Sequence, residues 1–487
     1  MSVAGPVTVT ALPAVDHAPG LERAFALIPE ERSYTLPRIE GQVPAYVRGT
    51  YYLNGPARFS RAGLAYRHWL DGDGMVAALR FDDRGVHFAN RFVRSAKWTA
   101  EEEAGRPLFR TFGTAFPEDR LLRGIALASP VNVSVYPFAG TLLAFGEQGL
   151  PWELDPETLE TRGLYTFGGG LNEISPLAAH AKIDPETGEL WCFGVSFAAA
   201  EARLNLYRFS KEGSLLARRR VPLSLPSSLH DFALAPRHAA FYLAPYRLDM
   251  GVLATGGTLE DALAWEPEKG SRLLAVSRDT GEAVAEVAAG ERYSLHTVNA
   301  WEEGTHLVVD VLELDRPVYD QYRVLPEVFP DVSPGRPVRL VLDLESGTLV
   351  DRVEIAYAKA PDFPAVDPRR YGQRADDVWM LGISATGLPG RKFFDQLVKV
   401  DFRDPTAAEI WQAPPGRYLA GEPAFVPDPA HATAGSILVP LFDATAGETG
   451  ATSFLLFDAF DLAAGPRAVL PLESPIHLAF HSIFAPG

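Results

Sequence analysis

A series of short polar turns limits the possible folds more than any other feature of the chain. From Tyr34 onward, runs of Val, Leu, Phe and Tyr are interrupted roughly every 8 to 12 residues, the spacing of strands in all-β proteins. Each turn has an acidic or polar residue near its start and lies between two apolar runs, as in a β-hairpin. With 42 glycines, 40 prolines and few amphipathic helical stretches, the pattern predicts an all-β fold. The similar turns are DPETLETRG (155–163), DPETGEL (184–190), SKEGSLL (210–216), SRDTGEA (277–283) and LESGTLV (344–350).

A sheet protein of 487 residues has many strand edges to protect. Several sandwich domains would protect them, and so would a ring of small sheets around an axis, the β-propeller. No linker rich in Ser, Gly or charge separates the turns, and the same kind of turn recurs across the chain. We therefore expect one propeller domain over residues 26–487, after a mobile tail over residues 1–25. Helical patterns are restricted to short stretches such as 95–106 and 258–270.

Composition excludes several classes of protein. The formal net charge of −17 argues against a nucleic-acid partner, which needs clustered Lys and Arg. The chain has no apolar run of about 18 residues and no signal-peptide pattern at residues 1–20, so no membrane-spanning helix is expected. Cys192 is the one cysteine, which fits a reducing, cytoplasmic location. No protein partner is predicted.

Four histidines stand at the edges of short apolar runs and are the candidate metal ligands. They are His180 in LAAHAKIDPETGEL, His230 in SSLHDFAL, His296 in YSLHTVNAWEEG and His481 in LAFHSIFAPG. Neutral imidazole binds Fe, Zn, Cu and Ni, whereas Ca and Mg prefer carboxylates. Four histidines would close a tetrahedral zinc site, but would leave two positions open on a six-coordinate ion. Ligand type alone leaves iron and zinc both open.

A series of motifs from about Arg38 onward resembles the carotenoid cleavage oxygenases. The resemblance implies a seven-bladed β-propeller with a helical and loop cap over a non-haem Fe(II) ion on the axis. The motifs are GTYYLNGPARF (49–59), RHWLDGDGMV (67–76), NRFVRS (90–95), GLPWELDPETLET (149–161), AHAKIDPETGELWCFG (179–194), LHDFAL (229–234), WEPEKGSR (265–272), HTVNAWEEG (296–304), GEPAFVPDP (421–429) and FHSIFAP (480–486).

The resemblance implies that His180, His230, His296 and His481 are the four iron ligands. His477 competes with His481, because the two have the same parity on a strand. The family places its ligand directly after Phe, which selects His481 after Phe480, although the family's usual next residue, Gly, is Ser482 here.

Three carboxylates are expected to hold ligand histidines through their second ring nitrogens. Glu147 and Glu422 match two glutamates that the family uses in this way. The third normally lies in an E-F-P motif, where this chain has PDFPAVDP with Asp362, shorter by one methylene. Either the backbone moves inward, a water bridges the gap, or one histidine is held less firmly. Asp231 follows His230, and on a strand it would point away from the metal and form only local hydrogen bonds.

The resemblance implies that dioxygen and the metal cleave a carbon–carbon double bond of a carotenoid or apocarotenoid into two carbonyl fragments. No catalytic residue is expected beyond the metal ligands. An apolar tunnel for the polyene is predicted along Trp98, Phe145, Trp152 and Trp301. Because polyenes partition into membranes, we also expect weak peripheral membrane contact through exposed apolar residues of the cap.

Two other functions remain as alternatives. Stilbene-cleaving members of the family cleave stilbenes and related phenylpropenes, but typically carry a Lys directly before the first of the three glutamates, where it binds the substrate phenol. Gly146 stands at that position, which favours the carotenoid substrate. The other alternative is a non-catalytic propeller binding protein that holds a structural metal.

Overall fold

The computed structural model describes residues 15–121, 127–196, 202–321 and 324–487, and in them the chain forms a seven-bladed β-propeller. Each blade is an antiparallel sheet of four or more strands, so the predicted all-β propeller is confirmed. The first blade, in spatial order, contains Ser33–Thr35, Gly85–Phe92, Asp73–Asp82, Gly49–Arg58 and Ser482–Pro486. The second contains Thr161–Leu164, Trp152–Leu154, Thr141–Phe145 and Ser134–Phe138.

The next four blades each use four strands that follow one another along the chain. The third contains Lys182–Ile183, Leu190–Ser196, Arg203–Phe209 and Leu215–Pro222. The fourth contains Ala233–Leu234, His238–Leu243, Ser271–Ser277 and Ala283–Gly290. The fifth contains Tyr293–Glu303, His306–Leu314, Gly335–Asp343 and Thr348–Glu354. The sixth contains Asp362–Ala365, Asp377–Gly382, Gln396–Asp401 and Asp404–Gln412.

Two blades close the ring by pairing strands from opposite ends of the chain. In the first, Ser482–Pro486 pairs with Gly49–Arg58. In the seventh, Glu40–Gly41 pairs with Pro466–Pro471. Closure protects sheet edges that would otherwise be open to other chains. The seventh blade contains Glu40–Gly41, Pro466–Pro471, Ala451–Asp458, Gly435–Asp443 and Arg417–Leu419, with Ala424–Pro427 also paired to Gly435–Asp443.

Short helices and small hairpins lie in the connections. Within the described residues, no helix is long and apolar enough to cross a membrane. The expected cytoplasmic location and the peripheral membrane contact stay predictions. The α-helices are Glu22–Ala26, Ala96–Ala104, Met250–Ala254 and Leu259–Ala262. The 3-10 turns are Trp69–Asp71, Pro267–Lys269, Val318–Asp320, Pro368–Arg370 and Leu462–Ala464. The two-stranded pairs are Ser60–Arg61 with Leu64–Ala65 and Tyr246–Leu248 with Leu263–Trp265.

Packing between blades explains why short apolar runs recur along the whole sequence. Interior strands such as Thr141–Phe145 are buried at every position, because another blade covers each face. An outer strand such as Ala283–Gly290 instead alternates buried and exposed residues in its second half.

The segment predicted as a mobile tail is partly packed. Residues 1–14 of that segment lie outside the described residues. Ala18, Leu21, Ala24 and Phe25 are buried in the large apolar cluster of the propeller. The Tyr418 hydroxyl donates a hydrogen bond to the carbonyl of Pro19 (2.7 Å). From Ala18 onward the chain therefore belongs to the folded body.

Candidate metal centre

The four candidate histidines meet although they are far apart in sequence. They are all buried, and one ligand nitrogen from each lies within 4.8 Å of the others. The Nε2 atoms of His180 and His230 are 2.9 Å apart, and those of His230 and His296 are 3.2 Å apart. Each histidine lies in, or within three residues of, an edge strand of its blade: His180 before Lys182–Ile183, His230 before Ala233–Leu234, His296 in Tyr293–Glu303 and His481 before Ser482–Pro486.

The three predicted carboxylates lie behind three of the histidine rings. The Nδ1 atom of His230 is 2.8 Å from Glu147 Oε1. The Nδ1 atom of His481 is 3.4 Å from Glu422 Oε1, and the other Glu422 oxygen accepts a hydrogen bond from the Ser482 N–H (2.9 Å). A carboxylate at Nδ1 keeps the proton on that nitrogen and leaves the Nε2 lone pair free for a metal.

Asp362 contacts His296 directly despite its short side chain, without a bridging water. Its Oδ1 atom lies 2.5 Å from His296 Nδ1. The pairing of Asp362–Ala365 with its neighbour shifts register after Asp362, and Phe363 has a φ of +53°. This left-handed conformation is strained for a bulky residue, and it forms the bulge that carries the carboxylate to the ring. Burial would raise the pKa of Asp362, but the adjacent His296 lowers it below its usual value.

The arrangement of nitrogens fits a bound cation. With protons held on Nδ1, two Nε2 atoms 2.9 Å apart would direct lone pairs at each other. A metal ion between them removes this repulsion. Burial, together with the three neighbouring histidines, holds the pKa of His180 well below its usual value, so the ring is neutral as metal binding requires.

His477 is buried but lies outside the cluster. The four-histidine group contains His481 and not His477. Residues 473–481 form no strand, so the parity expected on a strand does not apply. Burial lowers the pKa of His477 to about 3, so it is a neutral packing residue at physiological pH.

Asp231 contacts more of the site than the sequence indicated. It is not on a strand, and its buried carboxylate turns toward the His180 side. Its Oδ1 atom lies 2.9 Å from Lys182 Nζ and 3.8 Å from His180 Nδ1. Its Oδ2 atom accepts hydrogen bonds from the N–H and the hydroxyl of Thr297, both at 2.9 Å. The Nδ1 atom of each of the four histidines therefore has a carboxylate oxygen within 4 Å.

A small, mostly apolar cavity lies against three of the four histidines, His230, His296 and His481. Tyr319 supplies a hydroxyl to this wall, 3.5 Å from His230 Nδ1. Several lining residues come from connections between strands, so these connections cover the face of the propeller that carries the histidines. The lining residues are Trp69, Leu70, Val133, His230, Leu295, His296, Tyr319, Phe329, Asp362, Phe363, Phe394, Phe480 and His481.

The four aromatic residues predicted for the tunnel do not line this cavity. Phe145 is fully buried in the core, and Trp98 packs under the Arg94 guanidinium. Trp152 packs against the core between the first two blades, and Trp301 donates a hydrogen bond to Glu303 (2.8 Å). These residues are strand or helix packing residues, which is the common role of large aromatic side chains.

Other aromatic residues form the wall of the cavity instead. Half of them stand in a family motif or next to a predicted site residue in the sequence. Trp69 lies inside a family motif, Phe363 follows Asp362, and Phe480 precedes His481. Neighbours of ligands in sequence are thus better candidates than aromatic residues chosen by type. Tyr319 and Phe329 lie in a long connection with no such mark.

Gly146, directly before Glu147, is packed from outside the cavity. A Cβ atom at this position would lie 2.0 Å from Ser129 Oγ and 3.2 Å from the Val131 nitrogen. A side chain here would require the Ser129 hydroxyl to move. The lining of the cavity includes no Lys or Arg among the described residues.

Comparisons with known proteins agree with this geometry. A family model described as retinal pigment epithelial membrane protein matches residues 25–486. The apocarotenoid-15,15'-oxygenase of Synechocystis is 29% identical over 490 residues, which cover 95% of each chain. The isoeugenol monooxygenase of Pseudomonas nitroreducens is 29% identical over 470 residues, covering 92% of this chain and 94% of that enzyme. A solved structure of a Synechocystis ACO mutant matches with a TM-score of 0.87 at 26% identity, covering 96% of this chain and 98% of the other.

Proposed function

Because the chain belongs to the carotenoid oxygenase family, the family of the retinal pigment epithelial membrane protein, we propose that it is a non-haem iron(II) dioxygenase. Its substrate is a carotenoid or apocarotenoid, in which one carbon–carbon double bond is cleaved. His180, His230, His296 and His481 hold the iron. The reaction balances without another reactant: both atoms of dioxygen enter the products, one in each new carbonyl group.

The spacing of the four rings is the observation that carries the proposal. Five of the six distances between ring centres are 4.4–5.2 Å, and one, between His230 and His481, is 6.3 Å. An octahedral ion with two adjacent open positions has five adjacent ligand pairs and one opposite pair. A tetrahedral ion has six equal pairs and, with bonds of about 2.0–2.1 Å, needs nitrogens about 3.3–3.4 Å apart. The one long separation, between His230 and His481, would suit four ligands of a six-coordinate ion with two positions left for dioxygen and substrate.

The residues around the centre have separate tasks. Bound iron(II) supplies a site where dioxygen is activated beside the double bond. Glu147, Asp362 and Glu422 orient the rings and keep the Nδ1 protons in place. Phe363, Phe480 and the other apolar lining residues hold the polyene and exclude water. No side-chain acid or base is needed, because the reaction transfers no proton from the protein.

The apolar wall and Gly146 support a polyene substrate. A hydrocarbon chain has no polar group to pair, and the wall offers mostly aromatic and aliphatic side chains. Gly146 offers no side chain to bind a phenol, and the described lining includes no Lys or Arg.

A phenylpropene or stilbene is the second candidate substrate, and Tyr319 favours it. Tyr319 carries the one hydroxyl among the described lining residues, a group of the type that orients a phenolic substrate. The relative named isoeugenol monooxygenase is as similar in sequence as the apocarotenoid oxygenase.

Product analysis distinguishes a polyene substrate from a phenolic one. Iron-loaded protein is incubated under ¹⁸O₂ with an apocarotenal, isoeugenol or resveratrol, and the products are identified by mass spectrometry. We expect aldehyde products from the apocarotenal, with one labelled oxygen in each fragment, and no products from protein freed of metal. Conversion of only the phenolic substrates would overturn the polyene assignment and support the second candidate.

Metal analysis tests the third function, a propeller with a structural metal. The proposal expects one iron per chain and oxygen consumption that depends on substrate. Stoichiometric zinc that remains through iron reconstitution, with no oxygen consumed on any of the three substrates, would contradict the dioxygenase proposal.

A further inference from the structure

We propose that Asp231 is a positioning residue that ties three of the four ligand-bearing segments together through Lys182 and Thr297. The inference rests on the proposed metal centre and goes beyond the three carboxylates expected behind the rings. Each of those carboxylates holds one histidine ring. Asp231 instead joins ligand-bearing segments, through the Lys182 ammonium group and through the N–H and hydroxyl of Thr297.

The chain positions of the partners show how the three segments are joined. Lys182 is two residues after His180, Asp231 is directly after His230, and Thr297 is directly after His296. One carboxylate thus contacts residues adjacent to ligands in the third, fourth and fifth blades. The Lys182 Nζ atom lies 2.9 Å from Oδ1, and the Thr297 N–H and hydroxyl donate to Oδ2 at 2.9 Å each.

The contact with Thr297 has a specific effect on His296. The strand Tyr293–Glu303 shifts register on both sides of Thr297 in its pairing with His306–Leu314. A bulge of this kind redirects a side chain and disrupts the regular ladder locally. The Thr297 N–H donates to Asp231, which satisfies a buried donor at the bulge. Asp231 therefore fixes the backbone that directs His296 toward the axis.

The contact with His180 completes the arrangement. His180 is the one cluster histidine with none of the three predicted carboxylates at its Nδ1 atom. Asp231 Oδ1 lies 3.8 Å from that atom, too far for a hydrogen bond but close enough to favour a proton there electrostatically. The Asp231 side chain is 2% exposed, so solvent screens these contacts weakly.

A matched control carboxylate exists on the same strand as His296. Glu302 has a side chain that is 7% exposed, accepts a hydrogen bond from the Arg237 N–H (2.9 Å), and lies 2.8 Å from His238 Nδ1. It also joins the fourth and fifth blades, but it lies far along the strand from His296. Glu302→Gln therefore removes a buried interblade ion pair without touching the proposed positioning network.

The test compares Asp231→Asn with Glu302→Gln in the full chain. Affinity for Fe(II) and Co(II) is measured by anaerobic chelator competition, the Co(II) absorption spectrum is recorded, and melting temperatures are taken with and without metal. Asp231→Asn is expected to weaken metal binding about 10–100-fold, the range for groups that orient metal ligands. It should also change the Co(II) spectrum. Glu302→Gln should lower the metal-free melting temperature but keep the wild-type affinity and spectrum.

A second variant covers the case in which Asp231→Asn does not fold. Thr297→Val removes the hydroxyl donor and keeps the N–H, so it should shift the Co(II) spectrum in the same direction with a smaller loss of affinity. Thr297→Ser keeps both donors and should restore the wild-type values.

Wild-type affinity and spectrum in Asp231→Asn, or in Thr297→Val when the first variant does not fold, would overturn the inference. An equal loss of metal in Glu302→Gln would also overturn it, because the effect would then be general destabilisation. Failure of the proposed function is seen separately: wild-type protein would bind neither metal, or would bind metal and cleave no substrate.

Discussion

Two nearby histidines, His477 and His481, have different surroundings, and only His481 belongs to the four-histidine group. His481 and His477 are both buried, yet one lies in the cluster and the other packs in the core. The difference comes from an irregular segment before Ser482–Pro486, where the strand alternation of side chains does not hold.

Replacing each histidine separates these roles. His481→Ala removes a candidate ligand, so we expect the purified protein to lose most of its iron by elemental analysis. His477→Ala leaves all four candidate ligands in place and should keep its iron. It should lower the free energy of unfolding by about 1–3 kcal/mol, because a buried side chain is removed from the core. The reverse pattern, with iron lost only in His477→Ala, would contradict the choice of His481.

His477 also makes stability depend on acidity. Burial lowers its pKa from 6.5 to about 3 in the folded chain. As the pH falls below about 6.5, the unfolded chain binds a proton here and the folded chain does not, so the free energy of unfolding decreases until the pH nears 3. The slope reaches ~1.4 kcal/mol per pH unit. We expect the free energy of unfolding, measured with urea, to fall less between about pH 7 and pH 5 in His477→Leu than in wild type. Equal pH slopes in the two proteins would refute this.

At the scale of elements, a backbone bulge lies directly after the short side chain of Asp362. The shift after Asp362, with Phe363 at a φ of +53°, places the carboxylate 2.5 Å from His296. The sequence showed that a methylene was missing and offered three outcomes. It gave no sign of a bulge, because Phe is a residue that ordinarily avoids a positive φ.

The bulge predicts that Asp362→Glu is harmful, although glutamate is the residue expected from the family motif. An extra methylene in a contact that is already short pushes His296 toward the axis. We expect the substitution to lower metal affinity, measured by chelator competition, and to destabilise the fold by about 1–3 kcal/mol, the usual effect of overpacking. Wild-type affinity in Asp362→Glu would show that the backbone relaxes and that the bulge is not rigid.

The sequence predicted some elements of the site well and others poorly, for physical reasons. Turn residues and apolar runs are local signals, so they predicted the strands. A local pattern also predicted the short helix Ala96–Ala104, which lies within the expected stretch 95–106. Motifs contained the four histidines and Glu422. The cavity wall was missed because Tyr319 and Phe329 reach it through the tertiary path of a long connection, which no local pattern records.

The whole molecule is a closed ring, and its closure joins the two ends of the described chain. Ser482–Pro486 completes the first blade, and Phe484 packs against the core between the first and seventh blades. Because each blade packs on two neighbours, loss of one strand exposes the faces of both.

Truncation after His481 tests the importance of closure. We expect deletion of residues 482–487 to lower the melting temperature sharply and to bring aggregation, because the strand Gly49–Arg58 becomes an open edge. Phe484→Ala should have a smaller effect in the same direction. Ile410→Ala, at a side chain that is 41% exposed on an outer strand, is the control and should change little. A truncated chain with wild-type melting behaviour would disprove the role of closure.

His481 lies directly before the strand that completes the first blade, so both are made last during translation of the described chain. The other three histidines have been made long before residue 481 leaves the ribosome, and the first blade waits for Ser482–Pro486. A nascent chain therefore carries an incomplete set of ligands and an unfinished first blade at the same time. Ring closure and completion of the four-histidine group therefore both depend on residues 481–486, which are made after the other strands of the first blade and the other three histidines.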